Sequence, residues 1–166
     1  TDPLDRVDIQ YGTSFCYPII SMGAHVTASP NHITKRNTSF KTRSNVAMAG
    51  TFGYELDLTK HTDEEIKFLE SETEFYKKHS DLVRNGDYYR LTANNGRYIA
   101  WQFVSSDKNQ SLSVIVQKQN SIDYKPVIQK FEGLDSNTMY QVTIDGEKRD
   151  SLYSGIALME IGLNIR

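Results

Sequence analysis

The stretch "TKHTDEEIKFLESETEFYKKHSDLVRNG", Thr59 to Gly86, divides the chain into two parts of different texture. Thr62 followed three residues later by Glu65 is a capping box, in which each side chain satisfies the other residue's backbone N–H. Asp63 and Glu64 suit the positive end of a helix, and Lys77, Lys78 and His79 suit the negative end. Ile66, Leu69, Thr73 and Tyr76 recur at helical spacing, so the stretch predicts one long amphipathic helix. Asn85-Gly86, a pair tolerant of positive φ, is expected to close it with a turn.

After this helix come "DYYRLTA", "RYIAWQFVSS", "SLSVIVQKQ", "PVIQKFEGL", "TMYQVTI" and "RDSLYSGIALMEIGL". The first five are rich in Tyr, Ile, Val, Phe or Trp. Turn signals bound them at Asn94-Asn95-Gly96, Asp107-Lys108-Asn109, Asp135-Ser136-Asn137 and Asp145-Gly146. This pattern predicts a small antiparallel β-sandwich. In "SLSVIVQ" the residues Leu112, Val114 and Val116 alternate with Ser111, Ser113, Ile115 and Gln117, giving one apolar face and one mostly wet face. Trp101 alternates with Ile99 and Phe103, which places it in the sandwich core, although a tryptophan in a binding module can also stack on a sugar. Before the helix, from Thr1 to about Leu58, helix-like stretches alternate with short apolar runs carrying glycine. The fold class is therefore α/β followed by all-β, with domains expected at residues 1–85 and 86–166.

Composition bounds the function. The 166 residues, 38% hydrophobic, suffice for one core or two small ones but are few for a complete catalytic barrel. Nineteen Lys and Arg against 21 Asp and Glu leave a net charge of -2, which argues against nucleic acid as a partner. The longest apolar runs, such as Tyr17 to Ile20, fall far short of the roughly 20 residues that span a bilayer. The single cysteine, Cys16, lies between Phe15 and Tyr17 and is expected to be a buried thiol, in keeping with a cytoplasmic protein.

No stretch carries a complete catalytic set. Asp2 and Arg6 stand four apart on an expected helix, the spacing of a surface ion pair worth about a few tenths of a kcal/mol. His25 and His32, seven apart across a loop with Pro30, match no metal-ligand spacing and have no Cys or Glu placed nearby, so no metal is expected. Cys16 with either histidine lacks a nucleophile signature. "MGAH" and "AGTFGYELD" lack a phosphate-cradling pattern and read as strand ends. Asn37-Thr-Ser and Asn109-Gln-Ser fit the glycosylation pattern, which is too short to carry weight.

At "TDPLDRVDIQYGTSFCYPIISMGAHVTASPNH", Thr1 to His32, and at "VAMAGTFGYELDLTK", Val46 to Lys60, the sequence resembles the bacterial α-galactosidases of glycoside hydrolase family 36. The likeness runs in register to about Arg90 and more loosely to "LYSGIALMEIGL". It implies that the chain holds the last strands and helices of a (β/α)8 barrel followed by a small C-terminal antiparallel β-sandwich. On that reading the helix from Pro3 follows the sixth strand, "IISMGAHV" is the seventh strand, "MAGTFGYELDL" the eighth, and the capped helix the eighth helix.

The resemblance also implies a retaining hydrolase with two aspartates about 5 Å apart, one the nucleophile and one the acid/base. The nucleophile belongs to a Trp-Asp-Met-Asn stretch upstream. The acid/base is the first Asp of a Ser-Asp-(Asp/Asn)-Thr-Asp stretch, of which Thr1-Asp2 would be the last two residues. No catalytic residue is then expected in this chain, which would begin within an active-site wall, and Asp2 is left to cap a helix. What the chain adds is a loop on the active face, where His25, Asn31 and His32 either hydrogen-bond a sugar hydroxyl, hold a catalytic loop in place, or, for the histidines, are satisfied by backbone carbonyls. The implied substrates are α-galactoside oligosaccharides of the melibiose and raffinose type, with no cofactor and a homo-oligomeric full-length enzyme. Two alternatives stand beside this: a non-catalytic carbohydrate-binding or interaction module, and an α-N-acetylgalactosaminidase of the same family.

Overall fold

The computed structural model describes residues 1–91, 97–120, 122 and 126–165, and the chain forms two compact units, Thr1–Asn85 and Gly86–Arg166. The expected turn at Asn94-Asn95-Gly96 lies outside the described residues.

The first unit opens with α1, Pro3–Thr13, whose start the sequence specifies twice: the Asp2 carboxylate accepts from the Leu4 N–H, and Pro3 fills the first helical position. A 3-10 turn, Ile19–Ser21, leads into β1, Gly23–Thr27. Helix α2, Phe40–Ala47, is capped by Ser39, whose hydroxyl oxygen accepts from the Thr42 N–H at 3.1 Å, and β2, Thr51–Glu55, follows. The two strands pair in parallel, from Gly23 opposite Thr51 to Thr27 opposite Glu55, making a β-α-β unit.

Both strands are shorter than the apolar runs suggest. Ile19 and Ile20 belong to the turn, because Pro18 sets an extended entry from which the next residues coil before Gly23. Ala47 ends α2, and the chain reaches β2 only through Gly50, at φ +133°, where a Cβ would stand 2.6 Å from the Met22 carbonyl oxygen.

Helix α3 spans Asp63–Asn85. Its capping box is formed as the spacing predicts: the Glu65 N–H donates to the Thr62 hydroxyl at 3.3 Å, and the Thr62 N–H donates to the Glu65 carboxylate at 3.1 Å. The helix packs on the face of the sheet that carries Ala24 and Val26, in a core completed by Ala47 and Leu69 and flanked by Phe40, Phe52, Tyr54 and Phe68. The Tyr54 hydroxyl meets the Leu69 carbonyl and the Thr73 hydroxyl, each at 2.7 Å, and the Tyr76 hydroxyl donates to the Gly50 carbonyl at 2.7 Å. Thr62→Ala removes one member of the box and is expected to lower stability by roughly 1 kcal/mol. Thermal melting checks this, and an unchanged midpoint would count against it.

Two expectations are corrected here. Helix α3 closes at Asn85 as expected, but neither Asn85 nor Gly86 takes a positive φ, and β3, Asp87–Leu91, begins right after them. Cys16 is exposed, as are Phe15 and Tyr17. Aromatic neighbours do not signal a core when the segment is the surface connection between a helix and a turn. Among the described helices none is long and apolar enough to cross a membrane.

In the second unit β3 pairs with β4, Tyr98–Val104, and β4 with β5, Ser111–Gln117, all antiparallel. β6, Ile128–Gln129, pairs with β9, Leu163–Asn164, and β7, Met139–Ile144, with β8, Glu147–Ser154. Only two residues of "PVIQKFEGL" are strand. The last segment contains a helix not foreseen from the sequence, α4, Gly155–Glu160, capped by the Ser154 hydroxyl, which accepts from the Ala157 N–H at 3.3 Å. The turns expected at Asp107-Lys108-Asn109 and Asp145-Gly146 take positive φ at Lys108, Asp145 and Gly146. A core of Val104, Leu134, Tyr140, Leu158 and Leu163 joins the central sheet to α4 and the smaller strands.

Candidate functional site

Parallel strands send their following loops to one end, and ligand sites of parallel α/β folds lie at that carboxyl end. Here the end is marked by Thr27 and Glu55, which are register partners, and by the segment 28–39 that joins β1 to α2. Thr1 and Asp2 belong to the same end: the Thr27 hydroxyl reaches the Thr1 carbonyl at 3.4 Å, and Asp2 is bonded to the 28–39 loop.

The three residues singled out from the sequence occupy different places. His25 is mid-strand and exposed, on the sheet face opposite Ala24 and Val26. Its ring lies over the sheet backbone between two glycines, since a Cβ on Gly53, its register partner, would come within 3.0 Å of it and a Cβ on Gly23 within 3.3 Å. Asn31 is buried. Its carboxamide oxygen accepts from the Ile33 N–H at 2.9 Å and the Thr34 N–H at 3.0 Å, so it organises the loop as an Asx turn. His32 is exposed at the loop surface, and its carbonyl accepts from the Lys35 ammonium at 2.7 Å. The loop thus brings Asn31 and His32 together, while His25 stands apart within the sheet.

The ion pair suggested by the spacing of Asp2 and Arg6 is replaced by a longer-range one. The Asp2 carboxylate, 2% exposed, accepts from the Leu4 N–H at 2.9 Å, from the Thr34 hydroxyl at 2.6 Å and from the Arg36 guanidinium. Helical spacing gives proximity, but α1 turns Asp2 toward the loop, and partners more than thirty residues away occupy it. Burial by itself would raise the Asp2 carboxyl. The bonds from Thr34, Leu4 and Arg36, together with the guanidinium charge, outweigh that and hold it below the usual carboxylate value. A folded-state value below the unfolded one means that this contact stabilises the fold above the ordinary carboxylate range. The contribution is lost as pH falls through the lowered value.

Arg43 was also missed by the sequence reading. Its buried guanidinium lies 3.9 Å from the Phe40 ring centroid and donates to the Thr27 carbonyl, which ties α2 to the last residue of β1. The signal was faint: an arginine three residues after an aromatic, in a helix whose apolar pattern is weak. Among the described residues no three His, Cys, Asp or Glu side chains gather as a metal site would require.

A β-α-β unit with a firmly tied loop at its carboxyl end, followed by a separate β-rich unit, matches known proteins along nearly its whole length. Residues 1–86 match the Melibiase family and residues 98–166 match the glycosyl hydrolase family 36 C-terminal domain. The chain belongs to the Melibiase family of glycoside hydrolases.

It is 42% identical over 167 residues to α-galactosidase AgaA of Geobacillus stearothermophilus, covering 95% of this chain and 22% of that protein. It is 41% identical over 164 residues to the bifunctional α-galactosidase/sucrose kinase AgaSK of Mediterraneibacter gnavus, covering 98% of this chain and 17% of that protein. The crystal structure of an AgaA variant in complex with raffinose aligns at a TM-score of 0.90 and 42% identity, over 98% of this chain and 22% of that one. The chain therefore spans about a fifth of the length of the curated relatives it matches.

Proposed function

We propose that this chain is part of a retaining α-galactosidase that releases terminal α-linked galactose from oligosaccharides of the melibiose and raffinose type. The observation that carries the reading is the likeness of both units, at about 40% identity, to α-galactosidases, one of them crystallised with raffinose. In this reading residues 1–85 are the last strands and helices of a (β/α)8 barrel, and residues 86–166 are its C-terminal β-sandwich. Purely parallel sheets are buried on both faces. The β1–β2 sheet is covered by helices on the Ala24 and Val26 face, while Gly23, His25, Thr51 and Glu55 are exposed, as expected of strands that meet further strands across a barrel interior.

His32 is the residue of the loop best placed for a sugar hydroxyl. Asn31 acts by shaping the loop, and His25 fills the space between Gly23 and Gly53. A free carbohydrate-binding module has no use for a parallel β-α-β unit with a loop fixed at its carboxyl end.

The test assays the full-length protein carrying this segment on a chromogenic α-galactoside and on raffinose, beside a chromogenic α-N-acetylgalactosaminide. Turnover of the galactosides with release of the α-anomer is expected, since retention follows from a double displacement. Preference for the N-acetylated sugar would select the other activity of the family, and turnover of neither would overturn the reading.

A further inference from the structure

We propose that Asp2 is a positioning residue for the sugar site, acting through Thr34 and Arg36 to hold the 28–39 loop at the carboxyl end of β1. This rests on the α-galactosidase reading. A helix cap needs one acceptor oxygen, and Oδ1 of Asp2 provides it to the Leu4 N–H. The same oxygen also receives Arg36, and Oδ2 is given to the Thr34 hydroxyl, so most of the hydrogen bonding of this buried carboxylate goes to a loop 32 to 34 residues away.

The loop is built to present those two partners together. The Asx turn at Asn31 closes on Ile33 and Thr34, the Asn31 N–H donates to the Arg36 carbonyl at 3.0 Å, and the Lys35 N–H donates to the Asn31 carbonyl at 2.9 Å. These bonds close residues 31–36 into a knot. Asp2 ties it to the start of α1, and Arg43 secures Thr27 at its root. His32 rides on the knot, so its position follows the Asp2 contact. Asparagine at position 2 would still cap α1, because Asn and Asp are equivalent caps. It would lose the nearer of the two carboxylate charges beside Arg36, the other being that of Asp5 at 3.7 Å, and put an NH2 group where a carboxylate oxygen accepts.

The experiment compares Asp2→Asn, Arg36→Gln and the double variant in the full-length enzyme. It measures kcat/KM on a chromogenic α-galactoside, thermal melting, and the rate of tryptic cleavage after Lys35. Each single variant is expected to lose on the order of 10- to 100-fold in kcat/KM, the scale of a misplaced active-site group. The melting midpoint should fall only by the modest contribution of this contact, cleavage after Lys35 should accelerate, and the double variant should lose less than the product of the two single losses, because the two substitutions break one shared contact.

Retained kcat/KM in both single variants, losses that multiply in the double variant, or a loss that tracks melting with unchanged cleavage would each overturn the proposal. Thr34→Val, which removes one donor and leaves the ion pair, provides a milder variant if Asp2→Asn fails to fold, and is judged by the same three measurements. If the unaltered protein turns over no galactoside, the functional reading fails. The tie of the loop to Asp2 is then judged by cleavage after Lys35 alone: acceleration in Asp2→Asn upholds it and an unchanged rate refutes it.

Discussion

Trp101→Ala is expected to destabilise the second unit by roughly 3–5 kcal/mol, the cost typical of truncating a buried aromatic to alanine. Trp101 is 1% exposed and sits in β4 opposite Val114 of β5 and Arg90 of β3, so its removal opens a cavity in the middle strand of the sheet. Small domains are commonly stable by only about 5–15 kcal/mol, and the loss takes a large part of that margin. Trp101 is the only tryptophan of residues 1–166, so in that polypeptide its emission reports directly on the site. A blue-shifted maximum resistant to iodide is expected in the native protein, with a lowered or broadened melting transition in the variant. Emission like that of free tryptophan, easily quenched, would contradict the placement. Among the described residues the indole N–H finds no acceptor, so Trp101→Phe discards a donor of no benefit and is expected to be far milder than alanine.

Trp101 also illustrates what the sequence could reveal. Its alternation with Ile99 and Phe103 identified one buried face correctly, yet β4 is buried on both faces, with Tyr98, Ala100, Gln102 and Val104 as enclosed as their neighbours. Period-2 reasoning assumes that the polar member of a pair faces water. Gln102 breaks the assumption because its amide donates to the Ser111 hydroxyl at 2.8 Å and its carbonyl accepts from the Glu132 N–H at 2.9 Å. A glutamine satisfied by residues 9 and 30 positions away leaves no local signature.

The same distinction separates what was legible in the site from what was not. The caps at Asp2 and Thr62 were readable because a cap is a contact within four residues. The bond of Asp2 to Arg36, the seat of Arg43 on Thr27 and the ring of His25 over Gly53 are long-range contacts that only the folded chain defines. The exposed Cys16 errs in the other direction, since a locally aromatic context carried no information about whether the segment would be covered.

Residues 1–166 expressed alone are expected to turn over no α-galactoside, and the reason lies in the carboxylates at the carboxyl end of β1 and β2. A retaining mechanism needs an ionised nucleophile and, about 5 Å away, a carboxylic acid whose pKa is raised enough to protonate the leaving oxygen. Asp2 is the enclosed carboxylate at this end, and its environment does the opposite: the bonds from Thr34, Leu4 and Arg36 hold it ionised, below the usual range. A group so held is a poor proton donor at neutral pH, and its oxygens are already occupied. Glu55, at the end of β2, is exposed and lies outside the enclosed loop contacts that hold Asp2. The sheet itself has two parallel strands, and a barrel site draws on loops from eight. With much of one face of that sheet exposed and its edges unpaired among the described residues, the isolated polypeptide should also associate readily. The assay sets residues 1–166 beside the longer protein on a chromogenic α-galactoside: turnover that survives rigorous purification, and that falls when Asp2 is changed to Asn, would make Asp2 the acid after all and refute its role as a positioning residue.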